Sequence, residues 1–294
     1  MQTVKQRPNW LRALGKEEPP ETIFVDQVEY KLVEVYKHDS WAATAQYSAA
    51  QCSEARTGVM TGQPKACQKI ICKFNRRSSF FGLPLGWIGR ALANREASAY
   101  KALSDLTAIP SALGTVCSDG RRLRNAFAHQ YVEGHPLGEN ESPSDQFFPE
   151  LKRILHTMHE HGIVYMDLHK RENILVGEDG LPKLVDFQIS FQHRPQGLLR
   201  RVPGRWLRDL LRNSDMFCFE KHVRRLRPDQ AEALSVPTSL DPPWWIRAHR
   251  IIAVPFRQTR RQLLSWLRVR DRSGRCRSEL FAEHAFRDPA SPNS

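Results

Sequence analysis

The sequence predicts an α+β fold in which strands come first and helices later. Segments rich in β-branched and aromatic residues fill the early part of the 294-residue chain. From about residue 151, apolar residues recur at helical spacing. This order differs from the strand–helix alternation of a parallel α/β sheet, so the class is α+β. We expect a tail over 1–20, a β-rich region over 21–133 and a mainly helical region over 134–294.

The β-rich region is predicted element by element. The tail is polar and ends in Glu-Glu-Pro-Pro, and residues 51–66 are small and polar, which is typical of a loop. Alanines favour a helix over 87–106. Residues 108–133 return to β character, with a turn at Ser118-Asp119-Gly120. The predicted strands are Thr22–Val25, Tyr30–Tyr36, Gln68–Phe74 and Ala126–Glu133.

The second region begins with a polar linker that extends to about Pro149. A helix follows, because four apolar residues share one helical face and Gly162 is a natural stop after it. Two short strands, Ile174–Val176 and Lys183–Phe187, flank Asp179-Gly180, a strong hairpin signal. The four residues of the helical face are Leu151, Ile154, Leu155 and Met158.

Positive charge is concentrated in the last third of the chain. The net charge is +12, and residues 194–294 hold 21 Lys and Arg against 10 Asp and Glu. This asymmetry indicates an anionic partner such as phosphate, nucleic acid or an acidic membrane surface, or simply a solvated basic face. Residues 258–270 combine Leu, Trp and Arg as an interfacial membrane helix does, although most amphipathic helices cover a core. No nucleic-acid motif is found, so nucleic acid is the less favoured partner.

The composition excludes several classes of protein. Apolar residues make up 40% and charged residues 26%, which is ordinary for a globular chain and not for a disordered or fibrous one. No apolar run has the length of a membrane span, and the N-terminus has no signal-peptide pattern. The six cysteines contain no C-x-x-C pair, so we expect no zinc site. We expect a cytoplasmic protein with reduced thiols, peripheral at the inner membrane if its basic part binds lipid.

Residues 161–190 carry the chemistry. Asp167, Asn173 and Asp186 occur in a strand–loop–hairpin context, with Lys170 inside the loop. Phosphoryl transfer from ATP needs oxygen ligands for Mg²⁺ and a carboxylate that orients the accepting hydroxyl. Asn173 and Asp186 are suited to the metal and Asp167 to the hydroxyl, while Lys170 would steady the transferred phosphate.

This segment resembles the protein-kinase-like superfamily. Met166-Asp167-Leu168 through Asn173-Ile174-Leu175-Val176 is similar to the catalytic loop, and Val185-Asp186-Phe187-Gln188 to the metal-binding D-F-G motif. Ile70-Ile71-Cys72-Lys73 is similar to the V-A-I-K strand. The resemblance implies a bilobal fold, with a small β-rich N-lobe over 21–133 and a mainly helical C-lobe over 134–294.

The resemblance also assigns roles to residues outside the loop. It implies that Lys73 contacts the α- and β-phosphates of ATP and that Glu96 is its partner. It makes Tyr131-Val132-Glu133-Gly134 a hinge, so that the backbone at Glu133 holds adenine. The form of the catalytic loop and the GHPL after the hinge look more like bacterial lipopolysaccharide core (Kdo and heptose) kinases and RIO-type kinases than like eukaryotic protein kinases. No A-P-E motif follows Asp186, so a long activation segment is not expected.

The sequence departs from the family pattern at four places. Tyr165-Met166 replaces the usual His-Arg, the interval from Asp167 to Asn173 is six positions instead of five, and Gln188 replaces a glycine. No Gly-rich loop is present, and the corresponding turn is expected near His38–Ala43. His156, His159 and His161 invite a metal site, but their spacing does not put them on one helical face.

Three functions therefore stay open. The first is an ATP- and Mg²⁺-dependent kinase acting on a hydroxyl of a lipopolysaccharide-type sugar or of a protein Ser/Thr. The second is a pseudokinase or nucleotide-binding scaffold, which the departures favour. The third is a basic nucleic-acid-binding module with a vestigial kinase fold.

Overall fold

The computed structural model describes residues 8–50, 68–79, 83–192 and 203–238. The chain divides into two compact units at the Glu133–Gly134 bond, called here the N-terminal and C-terminal units. The predicted loop over 51–66 and the predicted helix over 258–270 lie outside the described residues. No helix within these ranges is long and apolar enough to span a membrane.

The N-terminal unit is built on an antiparallel sheet. Seven described strands pair in the order β6-β5-β1-β2-β3-β4-β7. Two register shifts between β2 and β3 bend the sheet. The strands are β1 (Thr22–Val25), β2 (Val28–His38), β3 (Ala42–Ala49), β4 (Lys69–Asn75), β5 (Val116–Ser118), β6 (Arg121–Arg122) and β7 (Ala126–Gln130).

The position of β4 between β3 and β7 explains its burial. Ile70, Cys72 and Phe74 alternate along the strand and enter the hydrophobic core with Tyr30 and Tyr47. Lys73 lies on the opposite face of the strand and is also buried. The sheet therefore holds the Lys73 side chain at a fixed register, on the face of β4 opposite the hydrophobic core.

Strand β3 has little sequence signal of its own. Four of its eight residues, AATAQYSA, are alanines, which are poor β formers, yet the strand pairs along both neighbouring strands. Ala43 and Ala45 are fully buried, so small side chains are what this position in the sheet accommodates. The turn before it, at residues 39–41, lies within the region where the sequence predicts one.

Helix α1 (Gly86–Ala102) packs against β4 and β7. It is shorter than the predicted 87–106, because the amide of Leu103 caps the helix on Ala99 and Tyr100 and the chain then turns. Gly89 lies against the backbone of Arg76, where a Cβ would come within 1.9 Å of the Arg76 carbonyl oxygen. The close approach of α1 to the end of β4 thus requires a glycine.

Residues 9–15 are part of the packed unit, although the sequence assigns them to a polar tail. A 3₁₀ turn at Asn9–Leu11 leads into buried Leu11, Ala13 and Leu14. Arg76, only 1% exposed, donates to the carbonyls of Trp10 (2.8 Å) and Ser40 (2.6 Å). The sequence does not reveal this packing, because the three buried apolar residues lie among polar and charged ones and show no helix or strand period.

The described part of the C-terminal unit contains two long helices and short strands. Strands β8, β10 and β11 form one small sheet in the order β11-β10-β8, and β9 pairs with β12. The elements are β8 (Gly134–Pro136), α2 (Phe147–Glu160), β9 (Ile163–Val164), β10 (Ile174–Gly177), β11 (Pro182–Leu184), β12 (Phe191–Gln192) and α3 (Pro203–Leu226).

Most of the predicted elements of this unit are present with shifted ends. The predicted apolar face of α2 is fully buried, and Gly162 follows the helix with φ +74°. The β10–β11 hairpin turns at Gly180, as expected. Strand β8 lies inside the predicted polar linker, and β11 ends at Leu184, which leaves Asp186 in a loop. The fold class, α+β, is as predicted.

Gly89→Ala is expected to destabilise the N-terminal unit by about 1–3 kcal/mol, because the new methyl group forces α1 away from Arg76. Gly86→Ala is the matched control in the same helix, since its nearest contact would be an ordinary 3.7 Å. We expect that control to be neutral or to stabilise by about 0.5–1 kcal/mol. Urea unfolding of both variants measures the difference, and equal effects would contradict the close-packing argument.

Candidate active site

The structure brings Lys73 and Glu96 together inside the N-terminal unit. Lys73 Nζ donates to Glu96 Oε1 at 3.3 Å, and both side chains are buried. Strand β4 supplies the lysine and α1 the glutamate, 23 residues later. A buried ion pair often contributes little net stability, but removing one partner leaves an uncompensated charge. A lysine Nζ atom held in this way is suited to binding an anion.

The segment predicted as a hinge follows β7 directly. The amide of Tyr131 donates to Lys69 O at 3.2 Å, and the Glu133 carboxylate pairs with Lys69 Nζ at 3.0 Å. The Glu133 side chain is therefore used at the surface, and only its backbone groups are suited to the predicted contact with adenine. Gly134 has φ +145°, and a Cβ there would come within 2.2 Å of Val176 O.

The β2–β3 turn, residues 39–41, occupies the place predicted for a phosphate-binding loop. Asp39 Oδ1 accepts from the amides of Trp41 (2.6 Å) and Ala42 (2.9 Å). Burial opposes ionisation of Asp39, but Lys37 and these amides prevail and lower its pKa. Two of the donors that a phosphate would use are thus already bound to a carboxylate within the turn.

Asp167 is the centre of a polar cluster in the C-terminal unit. Its Oδ2 accepts from Lys170 Nζ at 2.7 Å and from Asn173 Nδ2 at 3.0 Å. Its Oδ1 is buried and accepts no hydrogen bond within the described chain, although His169 Nδ1 lies 3.4 Å away. A 3₁₀ turn over Arg171–Asn173 absorbs the extra residue of the loop and brings Asn173 back to Asp167.

Asp186 occupies the loop after β11 and is half-buried. It has φ +62°, a left-handed conformation that is uncommon for a residue other than glycine. Its neighbours are well anchored, since the amide of Val185 donates to Asn173 O at 3.2 Å and Phe187 is buried against the Tyr165 ring. The hydrogen bond between the Val185 amide and the Asn173 carbonyl therefore joins the segment that carries Asn173 to the one that carries Asp186.

Asp215 on α3 holds the start of the loop, and sequence reasoning missed it. Its two carboxylate oxygens accept from the amides of Tyr165 and Met166, each at 2.8 Å, and Oδ2 also contacts His159 Nε2 at 3.1 Å. Met166 is left-handed with φ +67°, so these bonds offset a backbone strain of order 1–3 kcal/mol. Because Asp215 is 49 residues from Met166, no local motif could have revealed it.

Tyr165 and His222 complete the support of the loop. The Tyr165 hydroxyl donates to the Val185 carbonyl, and its ring meets Phe187 edge-on at 5.0 Å. His222 Nε2 donates to Leu168 O at 2.7 Å from α3. Burial lowers the pKa of His222, so the neutral ring is favoured. Tyr165 thus joins the loop to both sides of Asp186, through its hydroxyl to Val185 and through its ring to Phe187.

The three histidines near the end of α2 do not form a metal site. His159 is buried beside Asp215, whereas His156 and His161 are exposed. Within the described ranges no three His, Cys, Asp or Glu side chains converge as metal ligands.

Comparisons with known proteins give a structural likeness only. No family model matches the chain, and no curated protein matches it. The Rio2 kinase from Chaetomium thermophilum has a TM-score of 0.45 at 15% identity, covering 80% of this chain and 61% of that one. Its ADP/Mg²⁺-phosphoaspartate complex has a TM-score of 0.47 at 14% identity, covering 72% of this chain and 59% of that one. The chain therefore spans about three fifths of those structures, and its function is inferred from its own residues.

Lys73→Met is expected to lower the free energy of unfolding by about 3–5 kcal/mol, because Glu96 is left buried without its cation. The double variant Lys73→Met, Glu96→Leu should recover most of that loss, since it removes both charges. Urea unfolding of the two single variants and the double variant measures the coupling. A double variant as unstable as the sum of its parents would contradict the buried-pair interpretation.

Stability is expected to fall as the pH drops below about 6.5, the ordinary pKa of histidine. There the unfolded chain binds a proton that native His222 resists, so protonation favours unfolding. His222→Gln, which keeps an N–H donor without titrating, should flatten this profile. Burial also lowers the pKa of His38, so some dependence will remain.

Urea unfolding at a series of pH values provides the measurement. His156→Gln is the control, because His156 is exposed. An unchanged profile for His222→Gln would rule out His222 as a source of the pH dependence.

Proposed function

We propose that this chain is an ATP-dependent phosphotransferase that acts on a hydroxyl group. The observation that carries the proposal is the state of Asp167, a buried carboxylate with one oxygen held by Lys170 and Asn173 and the other accepting no hydrogen bond within the described chain. A buried acceptor without a donor costs about 1–3 kcal/mol, which a substrate hydroxyl would recover. Asp167 would therefore bind and orient the attacking group.

The proposed reaction forms a bond from the acceptor oxygen to the γ-phosphorus of ATP and breaks the bond from that phosphorus to ADP. The proton of the hydroxyl passes to Asp167 Oδ1. Lys170, beside Oδ2 and partly exposed, provides positive charge close to the transferred phosphate. Positioning and charge stabilisation account for most of the catalysis in this class of reaction.

Mg²⁺ fits the oxygen donors that Asn173 and Asp186 offer. The amide nitrogen of Asn173 is used by Asp167, which leaves its amide oxygen for a cation. Mg²⁺ commonly binds one or two carboxylates together with substrate phosphates, and when bound it neutralises charge on the phosphates. Lys73, fixed by Glu96, would contact the α- and β-phosphates, and the backbone around Glu133 would hold adenine.

The two units would correspond to the N-lobe (21–133) and the C-lobe (134–294) of a protein-kinase-like fold. The acceptor that the sequence resemblance favours is a sugar hydroxyl of a lipopolysaccharide-type glycolipid, with a protein Ser/Thr second. We place the protein in the cytoplasm, with access to the inner membrane, because a glycolipid acceptor is presented there. Both assignments depend on the resemblance in the catalytic loop.

A second candidate function is a pseudokinase, and the β2–β3 turn favours it. Asp39 holds the amides of Trp41 and Ala42, so a nucleotide phosphate would have to displace a carboxylate. Gln188, where the family has glycine, removes conformational freedom beside Asp186. Such a protein would bind a partner, or a nucleotide weakly, without transferring phosphate.

Asp167→Asn is expected to lower phosphate transfer by about 10²–10⁴-fold while leaving nucleotide affinity within a few fold, because Asp167 acts on the acceptor. Asp186→Asn should weaken Mg²⁺-dependent nucleotide binding as well as transfer. The control is Asp179→Asn, an exposed aspartate paired with Lys183 in the β10–β11 turn. Labelled ATP is offered with a bacterial glycolipid extract and with a generic protein, and nucleotide binding is titrated separately.

Each outcome separates the candidates. Labelled phosphate in the lipid fraction supports the glycolipid kinase if Asp167→Asn and Asp186→Asn abolish it and the control does not. Labelled phosphate in protein alone supports a protein kinase. Nucleotide binding without transfer to either acceptor supports the pseudokinase. Salt-sensitive RNA or DNA binding with no nucleotide binding supports the nucleic-acid-binding module.

A further inference from the structure

Seven large apolar side chains are exposed in the described part of the N-terminal unit, and four of them belong to three segments at one end of its sheet. One belongs to the 3₁₀ turn at the N-terminus, one to the β2–β3 turn, and two to the segment that enters α1. Single exposed apolar residues are ordinary on a protein surface, whereas a group of them marks an interaction site. The four are Trp10 (38% exposed), Trp41 (48%), Leu83 (64%) and Trp87 (62%), called here the aromatic tip.

Arg76 brings the three segments to the same end of the sheet. Its Nη2 binds the Trp10 carbonyl at 2.8 Å, and its amide donates to the Trp41 carbonyl at 2.8 Å. Gly89, two residues after Trp87, lies against the Arg76 carbonyl. This end is where β2 ends, β3 begins and β4 ends. The tip thus consists of two turns and the start of α1, and the buried Arg76 contacts all three segments through its side chain or its backbone.

The charges beside the tip are mostly positive. Lys16, Arg77 and Arg90 are exposed there. The acidic neighbours are all ion-paired: Glu17 with Arg77, Glu18 with Arg12, and Asp39 with Lys37. Lys16 and Arg90 form no ion pair with another described residue. In addition, residues 83–89 contain no charged side chain.

We propose that the aromatic tip inserts into the interface of an anionic lipid membrane. Tryptophan has an apolar ring system and one N–H donor, and it favours the boundary between headgroups and acyl chains. Leu83 and Trp87 supply apolar area for the acyl region, and Lys16 and Arg90 supply attraction for anionic headgroups. The hydrogen-bonded turns and the start of α1 already display these side chains, so insertion needs little further ordering of the backbone. The proposal uses none of the basic residues after position 193 and does not depend on the proposed function.

The test measures binding of the full chain to vesicles, by co-sedimentation and by tryptophan emission. Two vesicle compositions are compared: phosphatidylcholine alone, and an equal mixture of phosphatidylcholine and phosphatidylglycerol. We expect binding to the mixture with a blue-shifted emission. The double variant Leu83→Ser, Trp87→Ser should reduce this affinity by at least about tenfold, since each side chain loses burial in the membrane.

Trp206→Ser is the matched control, because Trp206 is 60% exposed but lies on α3 in the C-terminal unit. It should bind as the unchanged protein does, and thermal unfolding verifies that all variants are folded. The proposal would be overturned if the double variant still binds and if about 1 M salt abolishes that binding. Salt at this concentration reduces the Debye length to about 3 Å, so the lipid affinity would then come from the basic residues alone. Failure of the unchanged protein to bind either vesicle would also overturn it and leave a protein partner as the occupant of the tip.

Discussion

The loop that carries Asp167 depends on one buried carboxylate. Asp215 accepts two consecutive backbone amides, at Tyr165 and Met166, and so fixes the direction in which the chain enters Asp167. Hydrogen bonds to a charged acceptor contribute about 1.5–3 kcal/mol each, enough to hold Met166 in a left-handed conformation. The geometry around Asp167 is therefore imposed by helix α3 as well as by the loop itself. His222, about two helical turns later on the same helix, donates to the carbonyl of Leu168 in the same loop.

Each unit buries ionisable side chains, and removing them from water costs free energy. A ligand that binds to these side chains would offset that cost. Lys73 and Glu96 are enclosed where a pair of apolar side chains would be at least as stable. Asp167 is enclosed with one oxygen that the described chain does not satisfy by hydrogen bonding. Structural cores avoid such groups, whereas binding sites retain them because a ligand completes their interactions. The two sites have the same physical character, although each is built by a different unit.

The sequence predicted what local patterns encode. The β-branched strands, the apolar face of α2 and the β10–β11 hairpin follow from periodicity and turn chemistry. The order of Lys73, Glu96, Asp167 and Asn173 along the chain matches a known arrangement, which is why the sequence predicts them as site residues. The structure pairs Lys73 with Glu96 and Asp167 with Asn173, and their roles stay predictions. Strand β3 was difficult to predict because its alanines are buried by tertiary packing, which propensity does not reflect. Arg76 and Asp215 could not be found at all, because each binds segments dozens of residues away.

Met166 and Asp186 place a left-handed residue at each end of the segment that carries the candidate catalytic groups. Neither position can accept a β-branched side chain without serious strain, because the branch collides with the backbone at positive φ. Sequence divergence there is consequently restricted to glycine, asparagine, aspartate and a few unbranched residues. Distant relatives could be recognised by this pair of restricted positions even where the motif letters between them have changed.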